Sequence, residues 1–246
     1  MIRRLLAAAC LLAAMPAAAQ SLAQSVPDLV EVRPGPKRHF YDGYGGGCPA
    51  PTAECRRAAY LVAGDQAVAI ERKGGFAYVA FVNASGSTTS GWIETAALVR
   101  LDPPAPALAG WVGTWRHSEG EIEIKRSPRA GRLLVDGGAT AGASDPRAVA
   151  RGSVHIGLIG GEGAVVDRRL AFSMGDPDEP GAIRVTFADG QEAGSLPYDA
   201  PGGDDETFGD DRCRIRMSRL GPYLVVVDND RCGAANVSFT GVYRRL

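Results

Sequence analysis

From Tyr60 onward, Gly, Asp, Asn and Pro recur at short intervals, and the runs between them alternate apolar with polar residues. A period of two puts successive side chains on opposite faces of a strand, and no run keeps the wider spacing of a helix face. A chain punctuated in this way closes its sheets through short antiparallel connections, as a small barrel or sandwich. In "YLVAGDQAVAIERKGGFAYVAFVNASGSTTSGWIETAALVRL" the turns fall at Gly64-Asp65 and Gly74-Gly75, with strands over 67–71 and 76–82 and another from Gly91-Trp92. Val68 and Ile70 then share one face, and Val79 and Phe81 share another.

The clearest break is "LDPPAPALAG", whose prolines mark a semi-rigid connector over 102–110. It separates a first module, 26–101, from a second domain, 111–246. The second opens with Ile122 and Ile124 alternating with Glu121, Glu123 and Lys125, the pattern of a half-buried strand. Further strands are expected over 132–135, 153–156, 163–166, 169–172, 181–187, 213–218, 223–227 and 237–243. "GLIGGEG" reads as a turn, since no Lys-Ser/Thr follows to make a phosphate loop. The first module also holds "YDGYGGGCPAPTAEC", too rich in Gly and Pro for a regular element.

The first residues, "MIRRLLAAACLLAAMPAAAQ", place two arginines before a short apolar run and small residues, the layout of a secretory signal peptide over 1–19. Cleavage is expected after Ala19, with a site near Ala23 or Gln24 as the competitor. Cys10 lacks the surroundings of a lipoprotein attachment site. An exported product is periplasmic or secreted, and no later stretch is apolar for long enough to span a membrane. Of the five cysteines, Cys48, Cys55, Cys213 and Cys232 remain after processing. Three pairings are open. The local one, Cys48 with Cys55 and Cys213 with Cys232, is expected in a compartment that permits disulfides. A zinc site is disfavoured by the spacing. Around the second pair, a turn at Leu220-Gly221 puts Ile215 and Met217 on the face of Cys213, with Val225 and Val227 covering the same core from the next strand.

A formal net charge of −1 offers little attraction to nucleic acid. His39, His117 and His155 are the three histidines, and none lies in a nucleophile elbow, a zinc-protease pair or another local catalytic pattern. No catalytic residue and no cofactor are therefore assigned. In "GGDDETFGDD", Asp204, Asp205, Glu206, Asp210 and Asp211 could supply oxygen ligands to calcium, although their spacing fits a solvated loop better than a known calcium loop. The remaining candidates are aromatic. Tyr41 and Tyr44, in the Gly-rich loop, are the residues expected to be exposed and to stack on a ligand; Trp92, opening a strand, is a further ligand-binding candidate but is expected more as core than as contact.

The segment 60–98 resembles a bacterial SH3-like module, with "AGDQAVAIERKGGFAYVAFVN" as its central hairpin and "SGWIETAAL" as the Gly-Trp strand and terminal turn. The usual Asn-Val-Arg before a Gly-Pro is replaced by "VEVRPGP" and a Cys-containing insertion. The resemblance implies a small barrel that binds cell-wall peptides or other proteins without chemistry of its own. Gly113-Thr114-Trp115 resembles the opening of small up-and-down barrels of the lipocalin type. The exported, disulfide-closed, all-β make-up is similar, more loosely, to periplasmic lysozyme inhibitors of Gram-negative bacteria. Their Ser-Gly-x-x-Tyr loop is not found, so no inhibitory residue carries over. The expectation is thus an all-β protein, an SH3-like barrel followed by a disulfide-stapled antiparallel barrel. Its expected role is non-enzymatic recognition of a cell-wall peptide or glycan or an envelope protein, with lysozyme inhibition as a specific form. A cell-wall hydrolase and a structural envelope protein are the competing classes.

Overall fold

The structure, a computed structural model, describes residue 22 and residues 26–186, 192–197 and 212–246. Two antiparallel sheets dominate it, and the cysteines form the expected disulfides, Cys48–Cys55 and Cys213–Cys232. The first sheet has seven strands: β1 (Asp28–Val32), β2 (Arg38–Tyr41), β3 (Arg56–Leu61), β4 (Gln66–Lys73), β5 (Phe76–Val82), β6 (Thr88–Glu94) and β7 (Leu98–Leu101). Their order across the sheet is β3-β2-β6-β5-β4-β1-β7. Alternation turns Val32, Phe40, Leu61, Val79 and Ile93 into one core. Gly74, at φ +58°, makes the tight turn from β4 to β5 that a Cβ would strain.

The second sheet contains β8 (Gly113–His117), β9 (Gly120–Arg126), β10 (Arg132–Ala141), β11 (His155–Val166), β12 (Arg169–Gly175), β13 (Ile183–Thr186), β14 (Glu192–Pro197), β15 (Arg214–Leu220), β16 (Tyr223–Asp228) and β17 (Gly241–Arg245). β8 to β12 and then β15 to β17 neighbour one another in chain order, β17 returns to β8, and β11 pairs with β12. Eight strands therefore close a barrel. The β13–β14 hairpin enters where β11 and β12 part: β11 meets β12 at Val165 and Val166, and β14 takes over from Phe172 to Gly175. Five-residue α1 (Pro146–Ala150), capped by the Asp145 carboxylate, lies in the β10–β11 connection.

The barrel interior is filled. Trp115, Ile124, Leu133, Phe172, Leu224 and Tyr243 meet there, all fully buried. Arg219 lies at one end with its guanidinium 4.4 Å from the Trp115 ring centroid and Nη1 donating to the Tyr223 carbonyl at 2.8 Å. Burial, reinforced by repulsion from Arg245, lowers its pKa to about 10. At the other end Val237 and Phe239 turn inward from the β16–β17 connection, which the Cys213–Cys232 bond ties to the start of β15.

Three expectations in this domain are corrected. "GLIGGEG" is the middle of the twelve-residue β11, which joins the expected strands 153–156 and 163–166 into one. Its glycines serve packing rather than turning: a Cβ on Gly161 would lie 2.1 Å from Phe172, and one on Gly157 would lie 2.7 Å from the Cys232 carbonyl. The last strand starts at Gly241 rather than 237, because the Asp228 carboxylate takes the Phe239 N–H and the Ser238 and Thr240 hydroxyls. Finally, Leu220 pairs with Tyr223, so the turn is Gly221-Pro222 and the inward residues of β16 are Leu224 and Val226, not Val225 and Val227.

Val225 has a different destination. With Tyr223 and Val242 it packs against Leu29, Val68, Ile70, Ala80 and Val82 of the first sheet, and Leu22 joins the same cluster. The run "AVAI" in β4 is therefore buried on both faces, Ala67 and Ala69 inward and Val68 and Ile70 towards the barrel. Burying each Val or Ile contributes about 1.5–3 kcal/mol relative to exposure. Polar contacts border this seam: the Tyr223 hydroxyl donates to the Gln66 carbonyl, Arg244 Nη1 to the Val82 carbonyl at 3.0 Å, and Thr88 N–H to Ser118 Oγ at 2.9 Å. Arg168 reaches Asp102 at 2.9 Å and also the Pro103 carbonyl, fixing the start of the Pro-rich connector. The connector joins two bodies already in contact.

Candidate recognition face

The side of the first sheet away from its own core carries a band of aromatic rings. On β5 and β6, Tyr78 stands opposite Trp92, and their rings meet edge to face at 5.4 Å. On β2, Tyr41 is paired with Trp92 and sets its ring at 5.4 Å against Phe76. Alternation dictates this arrangement, since Ala77, Val79 and Ile93 are the inward partners on the same strands. The Tyr78 hydroxyl donates to Ser90 Oγ at 3.1 Å and keeps its polar end satisfied.

The loop between β2 and β3 passes over this band. Gly43 is the contact point: a Cβ there would lie 2.3 Å from Trp92 Nε1, so only glycine lets the loop settle on the indole. Trp92 is consequently 7% exposed. It is neither a residue of the inner core nor an open contact surface, but the floor beneath the loop. Tyr44, which directly follows Gly43, is 81% exposed. The disulfide Cys48–Cys55 closes the loop on itself, and Asp42 N–H donating to the Cys55 carbonyl at 2.8 Å ties its two ends together.

Between this loop and the β4–β5 turn lies an open cleft of about 430 Å³, lined by Gly47, Cys48, Pro49, Lys73, Gly74, Gly75 and Phe76. Its lining is glycine backbone, Pro49, the Cys48–Cys55 disulfide and the largely buried Phe76, with Lys73 as the single charge. Such a surface suits an extended or cyclic ligand with apolar faces and an anionic group. Of the residues expected to stack, Tyr41 supports Phe76 at the cleft and Tyr44 extends from the same loop, while Trp92 lies below. Phe76, Tyr78 and Lys73 were not singled out from the sequence. The alternation in "FAYVAFV" contained the signal, because Phe76 and Tyr78 fall on the face opposite Val79.

The histidines lie apart on separate elements. His39 donates from Nδ1 to the Arg57 carbonyl at 3.0 Å and meets the Tyr60 ring at its edge. His155 is exposed at the start of β11. His117 is packed 4.3 Å from the Tyr243 ring, and burial lowers its pKa to about 4. Its Nδ1 accepts the Glu119 N–H at 3.2 Å, so the neutral ring carries its proton on Nε2. The calcium candidates Asp204, Asp205, Glu206, Asp210 and Asp211 lie outside the described residues, among which no cluster of three or more metal-ligating side chains occurs. No helix among the described residues is long and apolar enough to cross a membrane. No family model matches the chain, and no curated protein or solved structure matches it.

Proposed function

We propose that this is an exported, non-enzymatic binding protein of the cell envelope that recognises a cell-wall peptide or glycan or an envelope protein. The observation that carries this reading is the cleft between the disulfide-closed loop and the β4–β5 turn, with Tyr44 exposed on the same loop. A loop of this kind, held on a rigid sheet, presents contact groups at little cost in ordering. The first module is SH3-like in this reading: β1 lies between β7 and β4, β5 and β6 follow, and a short 3₁₀ turn at Thr95–Ala97 precedes β7. The eight-stranded barrel is of the lipocalin type in this reading, and its packed interior supports recognition on the outside of the molecule. The signal-peptide layout of 1–19 and the two disulfides support a periplasmic or secreted setting.

Co-sedimentation with purified peptidoglycan tests the proposal. Wild-type protein is expected in the pellet, Tyr44→Ala and Tyr41→Ala are expected to weaken retention at least five-fold, and Tyr44→Ala should leave the melting temperature unchanged. Retention equal to wild type in both variants would remove the loop from the site. Release of soluble wall fragments above that of heat-inactivated protein would overturn the non-enzymatic assignment. Titration into a lysozyme assay tests the specific form of the proposal, and undiminished lysozyme activity would eliminate it.

A further inference from the structure

β3 is an end strand: β2 pairs along one side, and among the described residues no strand lies on the other. An end strand leaves alternate backbone N–H and C=O groups open to a further strand. Arg56, Arg57, Ala58 and Tyr60 on it are exposed, with Ala58 and Ala59 giving a slim centre that a second backbone can approach. Lys37, Arg38, Arg56 and Arg57 concentrate positive charge here. Among the described residues the one ion pair they make is a loose contact of 3.8 Å from Arg57 to Asp42, with Arg57 Nη1 also donating to the Ser90 carbonyl at 2.6 Å. Lys37 instead lies 4.0 Å over the Tyr60 ring, and Arg38 Nε is buried without a hydrogen-bond partner.

The other end strands differ. Arg100 on β7 is paired at 3.0 Å with Asp28, which it shares with Arg72, and Arg184 on β13 contacts both Asp178 and Glu192. Unneutralised cations along an edge oppose pairing with a second copy of the same edge and favour an acidic strand. We propose that β3 is a docking edge for an extended acidic segment of a partner protein, which adds to the sheet as an eighth strand. Main-chain hydrogen bonds to β3 give the register, and carboxylates on the incoming segment meet Lys37 and Arg56. None of the residues of this edge lines the loop cleft.

The probe is a fluorescein-labelled ten-residue peptide alternating Val with Asp or Glu, followed by anisotropy with the full protein. It is expected to bind, with affinity falling as salt rises. A version in which Lys replaces the acids is expected not to bind, and one N-methylated at alternate amides should lose at least ten-fold. Lys37→Glu with Arg56→Glu, neither residue being in an ion pair among the described residues, should also lose at least ten-fold at an unchanged melting temperature; Tyr44→Ala should bind as wild type. Equal binding of the N-methylated peptide would show attraction without strand addition and overturn the proposal. So would equal binding by the double variant, or a dimer of the free protein that the double variant dissolves, which would assign the edge to a second copy.

Discussion

Asp228 offers the sharpest test of how the barrel end is held. Its side chain, on a residue 5% exposed at the end of β16, accepts from Phe239 N–H at 2.5 Å, from Asp230 N–H at 3.1 Å, and from the Ser238 and Thr240 hydroxyls at 3.1 Å. These bonds replace the ladder that residues 237–240 lack, and they hold Val237 and Phe239 in the barrel. Asp228→Ala leaves the Phe239 N–H buried without a partner, which costs about 1–3 kcal/mol, and removes bonds to a charged acceptor worth about 1.5–3 kcal/mol each. The bonds share one carboxylate and do not add, because the freed hydroxyls can turn elsewhere. The expected loss is therefore about 3–5 kcal/mol. For a chain of this size that lowers the melting temperature by roughly 10 °C. Asp228→Asn keeps an acceptor for Phe239 and should lose only about 1–2 kcal/mol. Urea unfolding followed by tryptophan fluorescence reads this directly, since Trp111 and Trp115 lie inside the barrel. An alanine variant within 1 kcal/mol of wild type, or an asparagine variant as damaged as alanine, would refute the reasoning.

His117 gives stability a pH dependence. Burial holds its folded pKa at about 4 against 6.5 unfolded, so the unfolded chain takes up a proton at higher pH than the folded one. The contribution is complete above pH 6.5 and is lost as pH falls towards 4, about 3 kcal/mol in all. His117→Asn, which keeps an acceptor for the Glu119 N–H, should flatten that part of the pH–stability curve; an unaltered slope would show that other groups set it. The glycines of the barrel wall form a matched pair. Gly161→Ala brings a Cβ within 2.1 Å of Phe172 and should cost about 1–3 kcal/mol. Gly138→Ala meets only Leu158 at 3.7 Å and should be neutral or slightly stabilising, so equal melting temperatures for the two variants would contradict the packing account.

What the sequence discloses follows from how local its causes are. Strand alternation and tight turns are local, so β4, β5, β9 and the hairpin of β15 and β16 are legible, as are two disulfides between cysteines near in sequence. Gly157, Gly161 and Gly163 misled because a glycine that admits a neighbour's ring cannot be told by itself from one that turns the chain. The destination of 237–240 depended on a carboxylate about ten residues upstream. The inward face of β16 turned on a one-residue difference in where the turn lies, which exchanges the two faces. At the recognition face, Tyr41 and Tyr44 stand out as aromatics in a Gly-rich loop. Trp92 could not be placed without the loop's path, because its burial comes from Gly43 far away in sequence.

The seam changes what the cleft means. Phe76, Tyr78, Ala80 and Val82 form one outward row along β5, with same-face residues about 7 Å apart. Phe76 lines the cleft, Tyr78 meets Trp92 and also packs on the seam cluster, and Ala80 and Val82 lie within that cluster. A single row thus leads from the cleft to the barrel over about 20 Å. The same strand is clamped on its other face by Ala77 and Val79 in the module's own core. Close-packed side chains shift little without a vacancy to enter, and a row held on both faces has none. The barrel therefore abuts the aromatic band on the same face of the sheet, and its packed interior gives that side contact a rigid partner. The sheet under the Cys48–Cys55 loop is thus held by its own core on one face and by the barrel along the other, and the loop lies outside both contacts.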